Sequence, residues 1–379
     1  MSVEELLKQF NEYATESEVD RIATAWERHS DFFKNFWTNK IMHSDYPPLT
    51  DSEIDEVVLI LDKNAKGSTQ NTIAVARVMI PQGVWRRLFK EIQKNQTLKN
   101  LLNQLFIETV EKKQIEIIDE LYKINKGKKN SLTGKSGNAI NTMLFAFHPK
   151  NYLAMISLND RKKVIDYYGF AHDIDFEKDN PGKQIILSNS IILDGFRKLG
   201  IDTDPYILSK FLYSKVKDEW KPSETVEEQT PIEPDDIGYS DDQSTFYMEK
   251  ELENFLIANW DKTELAKNYE LLEEDGEMVS QQYPTDIGKI DILVKDKKTG
   301  QYVVIELKKN QTSDDTIGQL TRYMGWLEEH KIKNGTAKGI IIASAYDKKL
   351  YYALKKVKDV EIYTYQIDFK LKEFIHVPG

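Results

Sequence analysis

The chain has 379 residues, 40% of them hydrophobic and 30% charged, with six histidines, no cysteine and a net charge of −10. That length exceeds one ordinary core and predicts two domains. The missing cysteines exclude disulfides, thiol nucleophiles and thiolate zinc sites, and the histidines form no HxxxH or HxH pair, which leaves oxygen ligation of a hard cation such as magnesium or manganese.

In chain order, the start MSVEELLKQF carries two early acids, and no run of about 18 apolar residues follows anywhere, so neither a secretory leader nor a membrane span is expected and a cytoplasmic location is. VDRIATAWERHSDFFKNFWTNKIM places Ile22, Trp26, Phe33, Phe36 and Trp37 at helical intervals, which predicts a helix whose aromatics form core rather than a base-stacking platform. EVVLILDKN and TIAVARVMI predict two strands. In VWRRLFK, Arg86 and Arg87 are open to two readings, contact with a phosphate backbone or a charged helix face. Further helices are expected in LKNLLNQLFIETVEKKQIEIIDELYKI, IILDGFRKLG and DPYILSKFLYSKVKDEW. Between them, KINKGKKNSLTGKSGN contains Gly-Lys-Ser, but a phosphate-binding loop needs a glycine where Lys129 stands, so an NTPase is excluded. A basic loop touching DNA phosphates and a plain exposed loop are the readings left.

Residues 221–243 hold eight acids against Lys221 alone, together with Pro222, Pro231 and Pro234, and read as an exposed linker that can also lie along a basic groove. Most of the net charge is therefore local: the upstream segment has 31 acids and 31 bases, the downstream one 23 and 20, so neither half is barred from DNA. The expected division is 1–220, a linker at 221–243, and 244–379.

Downstream, FYMEKELENFLIANW fits a helix with Leu252, Phe255, Leu256 and Asn259 or Trp260 on one side. GKIDILVKDKKTGQYVVIELKK then predicts two antiparallel strands joined at DKKTGQ. Asp291 lies on the first, and Glu306 and Lys308 lie two apart, on one face, near the end of the β-branched run of the second. Charges there either neutralise one another or serve chemistry, and two carboxylates beside an ammonium suit a metal site. In SDDTIGQLTRYMGWLEEH, Ile317, Leu320, Met324 and Leu327 should pack on the sheet, with Gln319 and Tyr323 on an adjacent stripe. GIIIASAYDKKLYYALKKV predicts a strand and a helix, and VEIYTYQIDFKLKEF closing strands.

Asp291 followed by Glu306-x-Lys308, in the order helix, strand, strand, helix, resembles the PD-(D/E)XK nuclease superfamily, and GKIDIL, VVIELKK and QLTRYMGWL look like the catalytic domain of the NucS/EndoMS endonucleases over about residues 245–379. The resemblance implies an α/β fold, a restriction-endonuclease-like mixed sheet flanked by helices, preceded here by a mainly helical α+β domain. It also implies Asp291, Glu306 and the carbonyl of Leu307 as metal ligands, Lys308 as the group that positions or activates water, and Gln319 and Tyr323 as supporting residues. An acid on the first helix belongs to the pattern; Glu249 is the first choice, with Glu251 and Glu253 as alternatives. Two features depart from it: Ile290 precedes Asp291 where the superfamily has proline, and the 220 upstream residues do not look like the compact β domain of mismatch endonucleases, so mismatch specificity is not carried over. FKLKEFIHVPG shows no clear sliding-clamp peptide.

These features imply a magnesium- or manganese-dependent DNA endonuclease, in restriction of foreign DNA or in genome maintenance, acting as a homodimer or higher homo-oligomer. The rival is a non-catalytic DNA-binding or assembly protein built on the same fold.

Overall fold

The computed structural model describes residues 2–16, 19–62, 80–222, 241–312, 314–346 and 352–365. The upstream helices are α1 (Val3–Glu16), α2 (Val19–Phe36, continued by a π-turn over Trp37–Ile41), α3 (Asp51–Leu61), α4 (Gln82–Lys94), α5 (Gln96–Ile107), α6 (Glu111–Ile124), α7 (Asn138–Phe147), α8 (Leu158–Tyr168), α9 (Pro181–Lys198), α10 (Pro205–Ser214) and α11 (Lys217–Trp220). Then follow α12 (Asp241–Ala258), β1 (Tyr269–Leu271), β2 (Glu273–Glu274), β3 (Glu277–Met278), β4 (Gln281–Thr285), β5 (Gly288–Asp296), β6 (Tyr302–Thr312), α13 (Asp314–His330), β7 (Lys338–Tyr346) and β8 (Val360–Thr364). They form two compact units. The first gathers α1 to α11 with Ile257–Asn259 and the β2–β3 hairpin; the second gathers the rest of α12, β1, β4 to β8 and α13. Among the described residues no helix is long and apolar enough to cross a membrane.

In the first unit, Trp26, Phe33, Phe36 and Trp37 are buried, and edge-on contacts such as Trp26–Phe145 (4.6 Å between centroids) and Trp37–Phe106 (4.8 Å) make them core, as the helical spacing implies. The expected strand EVVLILDKN is instead the body of α3. Thr50 and Glu53 close a capping box, and Ile54, Val57, Val58 and Leu61 are all 0% exposed at the i, i+3, i+4, i+7 spacing of one helix face. Burial of that stripe outweighs the small helix penalty of its β-branched residues. TIAVARVMI, apart from Ile80, lies outside the described residues, as does 223–240 of the acidic segment. Arg86 is 3% exposed and forks onto Asp55, with Nε to Oδ1 at 2.9 Å and Nη2 to Oδ2 at 2.7 Å. The geometry fits neither of its two readings: Arg86 is half of an internal, buried pair.

The lysine-rich loop is only partly exposed. Asn130, Ser131 and Leu132 are buried, and the loop seats the β2–β3 hairpin: Ser131 Oγ accepts from Met278 N at 2.9 Å, Lys135 N donates to the Asp275 carbonyl at 2.6 Å, and Ser136 hydrogen-bonds Glu277. Gly276 has a φ of 79°, and a Cβ there would stand 2.4 Å from the Thr133 carbonyl oxygen, so only glycine fits this contact.

The second unit is a mixed sheet in the order β1-β5-β6-β7-β8, with β4 also on β5. β5 runs antiparallel to β1, β4 and β6, whereas β6–β7 and β7–β8 are parallel. The hairpin at DKKTGQ and the strand in GIIIASAY stand where the residue pattern predicts, and β8 is the described part of the closing strands. Ile317, Leu320, Met324 and Leu327 of α13 pack with Val304 of β6 and Ile341 of β7. Glu306 and Lys308 share the Val304 side of β6, so α13 covers the charged end of that strand.

On α12 the buried positions are Glu253, Asn254, Ile257 and Ala258, whereas Phe255 is 53% exposed and Leu252 and Leu256 are half-buried. The face expected from its apolar residues is thus not the one that is covered. The polar Glu253–Asn254 step is buried because amide side chains of β4 meet it, as the site geometry shows.

Candidate active site

Two strands and two helices bring the charged groups together. The antiparallel register of β5 and β6 ends at Ile292↔Ile305, and one step further Asp291 and Glu306 come abreast on the same face. There Asp291 Oδ2 accepts a hydrogen bond from Leu307 N at 3.0 Å, so a side chain takes over where the backbone ladder stops. On the other edge of β6, Glu306 and Lys308 pair with Ile341 and Ala343 of β7, and the parallel register shifts between Lys308 and Gln311. Lys308 lies at the last regular step.

Glu306 is 0% exposed, and no side chain hydrogen-bonds either of its carboxylate oxygens; the Asp291 N–H acts on them only weakly, outside good hydrogen-bond geometry. Burial, then the neighbouring Asp291 charge, push its pKa up to about 9, with Lys308 opposing. The Asp291 pKa is also raised, chiefly by burial and against the Leu307 N–H and the Lys308 charge. A buried carboxylate that no side chain hydrogen-bonds, beside a second one, is costly unless a cation or a proton completes it. Among the described residues no group of three or more His, Cys, Asp or Glu forms a ready metal cage. The donors here are a carboxylate pair, which suits a hard cation that keeps several waters.

From α13, Gln319 Oε1 lies 3.5 Å from Lys308 Nζ, and Gln319 also hydrogen-bonds Tyr323. Tyr323 is 8% exposed, and burial followed by the Glu306 and Asp291 charges raises its pKa, which keeps the phenol protonated as a neutral donor. Gly288, at φ 134°, makes room for it: a Cβ there would meet the Tyr323 hydroxyl at 2.6 Å.

α12 contributes acids one turn apart. The Glu249 charge acts on both Asp291 and Glu306, and the Asp291 charge acts on Glu253. Glu253 is 2% exposed, with a pKa pushed up to about 7 chiefly by burial, and it accepts from the side-chain amides of Gln281 and Gln282. Glu251 is half-buried. The structure therefore brings Asp291, Glu306, Lys308, Gln319 and Tyr323 into one cluster with Glu249 within electrostatic reach. Sequence reasoning passed over Gln281, Gln282 and Asn254. The only signal was the pair of glutamines before Tyr283 and Pro284, in a stretch whose proline argues against a strand.

Residues 261–371 match the family model of the endonuclease NucS C-terminal domain. Similar proteins include endonuclease NucS of Corynebacterium urealyticum, 41% identical over 68 residues, covering 18% of this chain and 27% of that protein. Endonuclease NucS of Sulfolobus acidocaldarius is 28% identical over 107 residues, covering 27% and 41%. Among solved structures, a repair endonuclease from Pyrococcus abyssi aligns with 34% of this chain and 49% of its own, at 20% identity and a TM-score of 0.26. The chain thus spans less than half the length of these NucS relatives. The carboxyl-terminal region is NucS-like, as its motifs imply.

Proposed function

We propose that the protein is a metal-dependent DNA endonuclease whose chemistry is carried by a PD-(D/E)XK-type site in the second unit. One observation carries this reading: a fully buried Glu306 whose two carboxylate oxygens no side chain hydrogen-bonds, beside Asp291 and Lys308 at the end of a NucS-like hairpin. Asp291 and Glu306 would hold magnesium, or manganese in its place. The Leu307 carbonyl would join them, since the N–H and C=O of one strand residue point to the same edge and Leu307 N–H already faces Asp291. Bound there, the ion would neutralise charge on the scissile phosphate and lower the pKa of the attacking water.

The chain's own groups do the remainder. Lys308 presents an ammonium beside the two carboxylates, where it orients water and stabilises the extra negative charge of the pentacovalent phosphorus. Gln319 limits the swing of that ammonium by accepting from Nζ, and Tyr323 offers a neutral hydroxyl next to Glu306. Glu249 adds negative charge that favours a cation at the pair. The division of labour we propose assigns 1–220 to substrate recognition or access control and 244–379 to cleavage, in a cytoplasmic homodimer or higher homo-oligomer, with one site per chain for each strand cut. Restriction of foreign DNA or genome maintenance is the setting.

The test is a digest of plain, mismatched, branched, single-stranded, modified and blunt-ended DNA with magnesium, with manganese and with chelator, for wild type and Glu306→Gln. Ion-dependent nicking that Glu306→Gln loses is the expected result. Binding with no cleavage of any substrate under either ion would point to a non-catalytic DNA-binding protein and overturn the reading.

A further inference from the structure

Next to Asp291 stands a polar network that the proposed chemistry leaves unused. Gln281 is 4% exposed, and its Nε2 donates to Glu253 Oε1 at 2.6 Å and to Asn254 Oδ1 at 2.7 Å; Gln282 Nε2 donates to Glu253 Oε2. Both oxygens of one buried carboxylate are therefore met by consecutive residues of one strand, and the Lys250 ammonium lies a further 3.5 Å from Oε1. Consecutive strand residues normally point to opposite faces. They converge here because Gln282 has a φ of 53°, in the left-handed region that a residue with a Cβ enters at a cost.

The kink is placed with respect to the site. β4 and β5 pair as Gln281↔Ile292 and Tyr283↔Ile290, so Gln282 comes abreast of Asp291, and the register passes over that one step. On its other side Asp291 is tied to β6 through Leu307 N. Its position is thus bounded by β6 and by the one irregular residue of β4. Relaxed to ordinary extended backbone, Gln282 would turn its amide away from Glu253 and restore a continuous ladder along Asp291.

We infer that Glu253 and Gln282 are positioning residues for Asp291: the two amides clamped on Glu253 hold β4 in its kinked form, and the kink sets how Asp291 presents its carboxylate beside Glu306. The inference rests on the endonuclease reading for its catalytic readout and on geometry for the remainder. Outer partners of this kind, when removed, cost roughly 10- to 100-fold in metal affinity or activity.

The deciding variant is Gln282→Gly in the full chain. Glycine adopts a φ of 53° without steric cost but brings no amide to Glu253. Three quantities are read: melting temperature with and without magnesium, DNA affinity in chelator, and single-turnover cleavage against magnesium concentration. The expected result is a melting temperature without ion close to or somewhat below wild type, the relieved backbone strain set against the donor lost from Glu253, with unchanged DNA affinity, roughly tenfold or greater loss of rate, a raised magnesium requirement and a smaller magnesium-induced rise in melting temperature. Glu253→Gln, which keeps the volume but cannot accept from both amides, should behave alike, and should it fail to fold, Gln282→Gly decides alone. Wild-type rate with a wild-type magnesium response in Gln282→Gly would overturn the inference. A rate loss that follows only a lower melting temperature, with the magnesium requirement unchanged, would overturn it too, by marking a purely structural role. Wild type that cuts no DNA would remove the endonuclease reading and leave the magnesium melts to decide the positioning role.

Discussion

Each unit of this protein buries a carboxylate with a cation nearby, and the two cases differ in how the charges are satisfied. In the first, Asp55 and Arg86 are 6% and 3% exposed and meet through two well-formed hydrogen bonds. In the second, Glu306 is buried more deeply, yet no side chain hydrogen-bonds its oxygens, and the neighbouring Lys308 lies 3.5 Å from an amide oxygen instead. A fold that needed only to store charge would pair it as Asp55 is paired. The contrast separates a carboxylate paired inside the core from one that no side chain of the described fold pairs.

The sharpest way to break this contrast is to titrate it. A carboxyl with a folded-state pKa of about 9 against an ordinary 4.5 holds its proton more tightly in the native state. It therefore favours the fold fully below pH 4.5, and that contribution fades as pH rises to 9. Glu306→Gln has no proton to lose. Between pH 5 and 9 ion-free wild type should thus lose stability relative to Glu306→Gln, by on the order of several kcal/mol at the top of the range. Magnesium should narrow the gap by stabilising wild type alone. Thermal melts at pH 5, 7 and 9 check this, and parallel curves for the two proteins would mean that Glu306 is satisfied after all. Next in size is Lys308→Ala, expected to slow cleavage by on the order of 10² to 10⁴ while DNA binding persists. Near-normal single-turnover cutting would place Lys308 with the structural pairs.

The opposite arm sharpens the first unit. Arg86→Leu strands a buried Asp55 and should cost about 3–5 kcal/mol of stability, recovered in large part by Asp55→Leu in the same chain. Cleavage per folded molecule should stay at the wild-type level well below the melting temperature. Denaturant unfolding beside a nicking assay measures both, and an activity loss in the stable double variant would show Arg86 to touch DNA.

What could be read in the residues follows from range. The β5–β6 hairpin was legible because its turn is local and its charges interrupt a β-branched run: alternation put Glu306 and Lys308 on one face, and the hairpin brought Asp291 to the same strand end, while its facing waited on the register. α13 was legible because its stripe of Ile317, Leu320, Met324 and Leu327 repeats at helical spacing. α3 was misread because Val57, Val58, Leu59 and Ile60 resemble a strand until Ile54 and the Thr50 cap are counted with them. The face of α12 was misread because the partners that bury Glu253 and Asn254 come from β4, a five-residue strand with a proline and a left-handed glutamine. No local pattern records that kink, and none records that the β2–β3 hairpin groups with helices more than a hundred residues upstream.

The smallest expected effects belong to the two α13 side chains, and they test where the open charge cluster ends. Gln319 reaches Lys308 only at 3.5 Å, a weak contact whose loss frees the ammonium without removing it. Tyr323→Phe keeps the ring in the core and deletes only the hydroxyl that Gly288 accommodates, so the fold should hold. Each change removes one neutral hydrogen-bonding group from beside a charge, worth about 1.5–3 kcal/mol where the bond is well formed and less here, which corresponds to roughly tenfold in rate. Both variants should therefore cut more slowly than wild type and faster than Lys308→Ala. Because Gln319 and Tyr323 also hydrogen-bond each other, the double variant should lose less than the product of the two single losses. Single-turnover rates on one substrate resolve the order. Inactivation by Tyr323→Phe as deep as by Lys308→Ala would move the phenol from the border of the cluster to the reacting atoms.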